Sequence, residues 1–229
     1  MVHRAEPGAR PGVRLFLDTA DREALARWLP TGLFHGVTTN PTILDRAGLR
    51  SSFDDIAPLM QEILTYPVQE VQAQCWGTET DALIETGLAL AALDPRLVVK
   101  VPITENGIRA VAALHARGVR TTLTAVYVAH QALTAAASGA DYVAPYFGRI
   151  NDSGRDALAV ISEMQAILGS TGTTTRLLVA SLRHAEDMAR LASLGCDTFT
   201  FSPVVAEQLF SDPQTTEASA VFEATAAGA

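Results

Sequence analysis

At 229 residues with 48% apolar side chains, the chain can bury one large core, and barrels of alternating strands and helices run about 200–250 residues as single domains. A net charge of −8, with no cluster of lysine or arginine, argues against a nucleic-acid footprint, and no apolar run is long enough to span a membrane. Two cysteines, Cys75 and Cys196, make no disulfide framework, and residues 1–12 hold no apolar signal core, so a cytoplasmic protein with reduced thiols and a loose N-terminal tail is expected.

The first apolar strand is expected over Val13–Leu17, ending at Asp18. Thr19 is expected to cap a helix over Ala20–Trp28, with Asp21 and Glu23 near its positive end. A second strand at Gly36–Thr38 leads into Thr38-Thr39-Asn40-Pro41, where the proline disfavours helix at Asn40. Helix in two pieces follows to Thr65, with Pro58 marking a turn or kink. Val68–Gln74 reads as strand three, and Thr78 with Asp81 as a capping box before a helix to Ala92. Strand four is Leu97–Val101, followed by a helix from Thr104 to near Gly118. Strand five is Val119–Thr124, and its helix stops at Gly139. Asp141–Tyr146 is strand six, with a helix over Asp156–Leu168. Arg176–Ala180 is strand seven, before a helix over His184–Ser193. Thr198–Phe201 is strand eight, before a helix over Pro203–Phe210. An amphipathic piece, Thr216–Thr225, lies outside the alternation.

Eight β-α units predict a parallel sheet with right-handed crossovers, closed at this length into a (β/α)8 barrel with an extra C-terminal helix, occupying residues 13–229. A doubly wound open sheet is the alternative, but no glycine-rich nucleotide fingerprint occurs. In such barrels chemistry gathers at the C-terminal ends of the strands. Reading those ends gives Asp18, Thr38, Asn40, Gln74, Lys100, Thr124, Tyr146, Arg149, Ser181 and Arg183. Singly, Asp18, Thr38 and Ser181 also fit helix caps, Asn40 a turn, Gln74 and Tyr146 partners for backbone groups, and the arginines solvated ends. As a ring around one lysine they describe a site. Lys100 stands in an apolar strand, where desolvation would lower its pKa and favour a nucleophilic amine; on that stretch alone, a strand-end lysine whose head reaches water or a carboxylate is the alternative. The five histidines, His3, His35, His115, His130 and His184, show no ligand spacing, so no metal or other cofactor is expected.

The segments FLDTA, GVTTNPTIL, KVPIT, LTAVY, DYVAPYFGRI and VASLRH, in this order from Leu15 to Phe210, resemble the class I transaldolase family, particularly its short-chain branch that includes fructose-6-phosphate aldolase. The resemblance implies a Schiff-base lysine at Lys100 and an acid/base partner at Asp18. It implies donor-hydroxyl contacts from Asn40 and Ser181, beside Thr38. Gln74, Thr124 and Tyr146 would hold water or move protons, and Arg149 and Arg183 would bind a phosphate, although a sulfonate has similar geometry. Transaldolases typically carry glutamate at the position of Gln74 and phenylalanine at that of Tyr146, so these two residues resemble the aldolase pattern. Arg183 resembles the transaldolase-like short sequences instead. The implied substrate is a sugar or sugar phosphate, with transaldolase activity as the alternative, and the family implies a homo-oligomer of five or ten subunits.

Overall fold

The computed structural model describes residues 12–228; apart from Gly12, the expected N-terminal tail lies outside them. Eight parallel strands, β1 (Arg14–Asp18), β2 (Gly36–Thr38), β3 (Glu70–Gln74), β4 (Leu97–Pro102), β5 (Thr121–Val126), β6 (Tyr142–Pro145), β7 (Arg176–Val179) and β8 (Thr198–Phe201), close into a barrel in sequence order. Closure is made by β1 against β8, with Phe16 opposite Thr200. The expected (β/α)8 fold is therefore the observed one. The helices are α1 (Arg22–Trp28), α2 (Pro41–Arg46), α3 (Phe53–Ile63), α4 (Thr80–Ala91), α5 (Glu105–His115), α6 (His130–Ser138), α7 (Phe147–Asp152), α8 (Ala157–Ser170), α9 (Ala185–Ser193), α10 (Pro203–Gln208) and α11 (Pro213–Ala226). Among the described residues, no helix is long and apolar enough to cross a membrane.

Strand side chains alternate between the two faces, and two apolar clusters follow from that parity. Leu17, Val37, Val71, Val99, Val101, Leu123 and Val143 point outward and pack under the helices. Phe16, Val98, Tyr142, Ala144 and Leu178 fill the barrel interior. Asp18 shares the inner face with Phe16, and Lys100 shares it with Val98. Each therefore points inward, one layer nearer the C-terminal mouth than its apolar neighbour. Burying one valine stabilises by roughly 1.5 kcal/mol or more, so the strands hold these polar groups in place by packing on the opposite face.

The N-terminal end of the barrel is closed by charge. The buried Glu70 carboxylate accepts from the Tyr142 hydroxyl at 2.8 Å and from Arg14 Nη1 at 3.2 Å, and Arg120 Nη2 lies 2.6 Å away. His35 Nε2 stands 3.4 Å from the same carboxylate. Burial alone would raise the Glu70 pKa, but His35, Arg120 and Tyr142 together bring it down to about 2.

Several local expectations are corrected. Asp21, not Thr19, caps α1, accepting from the amides of Glu23 and Ala24. Glu79, not Thr78, occupies the cap of α4, with no side-chain cap bond, and the Thr80 hydroxyl turns to Asn106 instead. Pro58 lies inside α3, which runs through it as one helix. The short α7 was not foreseen; it follows β6 directly and lacks a capping side chain. The C-terminal piece is helical, but α11 buries no residue and so has no packed apolar face. Cys75 and Cys196 are both buried, and burial pushes their thiols up to about 12 and about 11, so neither offers a thiolate at neutral pH.

Candidate active site

Asp18, Asn40, Lys100, Tyr146, Arg149 and Ser181 line one cavity of about 170 Å3 at the C-terminal mouth of the barrel. A second space of about 210 Å3 shares Asn40, Tyr146 and Arg149 with it and adds Gln74 and Thr124. Residues from β1, β3, β4 and β5 and from the segments after β2, β6 and β7 thus converge on one mouth.

Lys100 is 4% exposed, and its Nζ donates to the Thr39 carbonyl at 2.9 Å. That oxygen is neutral, so the ammonium form gains no full countercharge from it. Burial lowers the Lys100 pKa, and the Asp18 carboxylate offsets only part of that effect. Asp18 shows the mirror effect. Burial raises its pKa, against the smaller opposing influences of Lys100, the Thr38 hydroxyl and Arg149. The low-dielectric mouth therefore favours a neutral amine beside a carboxyl that holds its proton to higher pH than a free aspartate. Such a pair titrates as a unit.

Thr38 is fully buried and does not line the cavity. Its hydroxyl lies 2.6 Å from both Asp18 Oδ1 and the Thr200 hydroxyl, so it fixes the carboxyl from below. Asn40 caps α2, and its Oδ1 accepts from the Ile43 amide at 3.1 Å. With the oxygen committed, the amide nitrogen is the end offered to a ligand. The Thr124 and Tyr146 hydroxyls are 2.8 Å apart. Tyr127 packs edge-on against the Tyr146 ring, centroids 5.6 Å apart, and the Arg149 guanidinium lies 5.0 Å from that ring's centroid.

Two residues at this mouth adopt left-handed backbone. Ser181 has φ +59°, and Ala125, on the cavity wall beside Thr124, has φ +60°. Ala125 sits at a register shift in β5 between Leu123 and Val126. Such conformations cost about 1–3 kcal/mol each and persist where the surroundings impose them. Gly148 is part of what holds Ser181: its amide donates to the Ser181 carbonyl at 3.0 Å, and a β-carbon there would stand 2.4 Å from that oxygen.

Arg183 is not brought into the cavity. Its side chain is half exposed and pairs with Asp152 at the end of α7. The cavity is instead lined by Arg46, from the last turn of α2, which the strand-end reading missed. Arg46 lies four residues after Thr42, another lining residue, so one helical face beyond the Asn40 cap carries both. That spacing is the signal that could have found it.

The transaldolase/fructose-6-phosphate aldolase family matches residues 15–228 of this chain. A protein of Methanococcus maripaludis named "Probable transaldolase" is 34% identical over 210 residues, covering 92% of this chain and 95% of the relative. Proteins of the same name from Moorella thermoacetica and Caulobacter vibrioides are each 36% identical, over 92% and 89% of this chain and 95% and 91% of their own length. The sequence match spans every strand of a barrel whose mouth holds a desolvated lysine: the chain belongs to the transaldolase/fructose-6-phosphate aldolase family and is an enzyme of that class.

Proposed function

We propose that the protein is a Schiff-base aldolase of the fructose-6-phosphate aldolase type, acting on the C3–C4 bond of a ketose or ketose phosphate. The Lys100 amine adds to the C2 carbonyl, and the carbinolamine loses its hydroxyl as water, with Asp18 supplying and recovering the proton. In the resulting iminium the nitrogen is an electron sink. Loss of the C4 hydroxyl proton breaks the C3–C4 bond, whose electron pair moves into the iminium. An aldehyde leaves and a three-carbon enamine stays on Lys100. Protonation at C3 and hydrolysis release dihydroxyacetone and the free amine. Asn40 and Ser181 hold the donor's hydroxyls, and Gln74 and Thr124 place the water.

The single observation behind hydrolytic release is the Tyr146 hydroxyl, held 2.8 Å from Thr124 on the wall of the shared space. A phenol there gives the enamine a proton source that a phenyl ring lacks. A second reading, transfer of the three-carbon unit to an aldose acceptor, is favoured by the name the relatives carry, "Probable transaldolase". Borohydride added with fructose 6-phosphate should leave a three-carbon donor adduct on Lys100. A label on any other residue, or none, refutes the assignment. Product analysis with and without erythrose 4-phosphate then separates the two readings: dihydroxyacetone without acceptor supports the aldolase, and turnover only with acceptor supports transfer. On the same family reading the protein is a homo-oligomer; α11 buries nothing within its own subunit, and Val221 and Phe222 on it are exposed.

A further inference from the structure

We infer that Gln72 is a positioning residue for Lys100: its carbonyl anchors the peptide that holds the amine, and Thr122 turns its side-chain amide so that a donor, not an acceptor, lies beneath the lysine. This rests on the reading of Lys100 as the Schiff-base amine and adds what keeps that amine reactive.

Gln72 and Thr122 stand on β3 and β5, the two strands that flank Lys100 on β4. Gln72 is paired with Val98 in the β3–β4 register, and Thr122 with Lys100 in the β4–β5 register. In a tilted barrel, inward side chains from alternate strands meet in one layer. The Thr122 hydroxyl donates to Gln72 Oε1 at 2.8 Å, so this bond spans the inner side of β4 between Val98 and Lys100. Both residues are fully buried. A second chain of bonds runs through the backbone. Lys100 Nζ donates to the Thr39 carbonyl at 2.9 Å, and the Thr39 amide donates to the Gln72 carbonyl at 2.9 Å. Gln72 thus meets the lysine twice, from below through its side chain and from the β2 side through Thr39.

Gln72 Nε2 is buried and has no hydrogen-bond partner among the described residues. With Oε1 committed to Thr122, the amide has only N–H donors left to offer. Phe16, Val98, Ala144 and Leu178, the apolar side chains of the interior, give those donors nothing to bond. An ammonium has three donors and no acceptor, whereas a neutral amine carries a lone pair that accepts. A buried donor that only the neutral form can satisfy disfavours the charged form. Facing Lys100 from other elements are Asp18 on β1, Arg46 on α2, and Tyr146 and Arg149 after β6. Glu70 and Tyr142 lie toward the N-terminal end. None of these groups is altered in the test.

Lys100 is the only lysine in the sequence, so protein labelled with carbon-13 at the lysine ε-carbon gives one side-chain resonance, whose pH titration reports this amine without any turnover. Thr122→Val removes a hydroxyl but almost no volume. It should free Oε1 to turn and accept from the ammonium, raising the midpoint by about one pH unit, or tenfold in free amine below it, and slowing imine trapping at neutral pH in step. Thr122→Ser keeps the hydroxyl and should titrate as wild type. Gln72→Met, or Gln72→Leu where that fails to fold, leaves no amide to turn, so adding Thr122→Val to it should move the midpoint no further. A midpoint that Thr122→Val leaves in place or lowers overturns the inference, as does an equal rise with and without the Gln72 amide. An amine that titrates as described yet traps no ketose would count against the Schiff-base reading, not against the role of Gln72.

Discussion

Replacing Tyr146 with phenylalanine removes one oxygen and little else. The ring's seat survives, because the edge contact from Tyr127 and the guanidinium of Arg149 over its face both act on the ring. The lost group is the hydroxyl 2.8 Å from Thr124. One partly buried hydrogen bond contributes about 1 kcal/mol, so Tm should fall by only about 2–4 °C in a domain of this size. The kinetic effect should be larger. A positioned proton donor is worth about 100- to 10,000-fold in the step it serves. Dihydroxyacetone release needs a proton delivered to the enamine carbon, whereas transfer replaces that proton with an aldehyde carbon. The ratio of transfer to release should therefore rise by at least about 100-fold. The assay is fructose 6-phosphate with and without erythrose 4-phosphate, quantifying free dihydroxyacetone and sedoheptulose 7-phosphate in the same tube. Equal loss of both products would show that Tyr146 acts before the branch, and the basis for preferring hydrolysis would go.

Three further outcomes follow from the geometry. Because burial holds the Lys100 pKa below its ordinary value while Asp18 pulls it back up, the rate of imine trapping should climb with pH through a midpoint below that of a free lysine, and Asp18→Asn should move that midpoint lower still even as turnover drops; a midpoint moving upward would contradict the coupling. Gly148→Ala places a methyl 2.4 Å from the Ser181 carbonyl, so the Ser181 loop should shift, with about 1–3 kcal/mol lost in denaturant titration and KM for dihydroxyacetone raised; an unchanged KM would free Ser181 from donor binding. Glu70, with its pKa held at about 2, contributes stability that is complete above its unfolded value of about 4.3 and is lost as pH falls toward 2, roughly 3 kcal/mol in all; in Glu70→Gln the unfolding free energy should lose that slope, and a slope as steep as wild type would assign it to other carboxylates.

The strands were legible because a parallel barrel buries both of their faces, leaving short apolar runs bounded by turn residues. Val98 and Val99 point to opposite sides, yet both are buried. The positions of Asp18 and Lys100 at the inner C-terminal ends followed from the same parity. What could not be read was the direction of side chains leaving the strand ends. Thr38 looks like a ligand-facing hydroxyl in sequence, but the carboxyl of Asp18 lies above it and takes the bond. Arg183 turns away from the cavity to Asp152, thirty-one residues away, a contact that no local pattern in the sequence announces. The six residues of α7 are too few for a helical period to show. The helix of α11 was legible but its sidedness was not, because no neighbouring surface within the subunit gives it a buried face.

The two ends of the barrel treat buried charge in opposite ways, and the contrast bears on the nucleophilic role proposed for Lys100. At the N-terminal end one acid meets two guanidiniums, a histidine and a phenol, so it stays ionised and holds strands β1, β3, β5 and β6 together. At the C-terminal end one base and one acid face each other with mostly neutral partners: a carbonyl for Lys100, a hydroxyl for Asp18. An ion pair this deep seldom recovers its desolvation cost without further charged or hydrogen-bonding partners. Adding such partners would stabilise the fold and fix the amine as an ammonium, which cannot attack a carbonyl. A fully satisfied Lys100 would thus be a poorer nucleophile. The apolar layer of Phe16 and Val98 beneath Asp18 and Lys100 makes the charged forms costly, and that burial lowers the Lys100 pKa toward the neutral, nucleophilic amine.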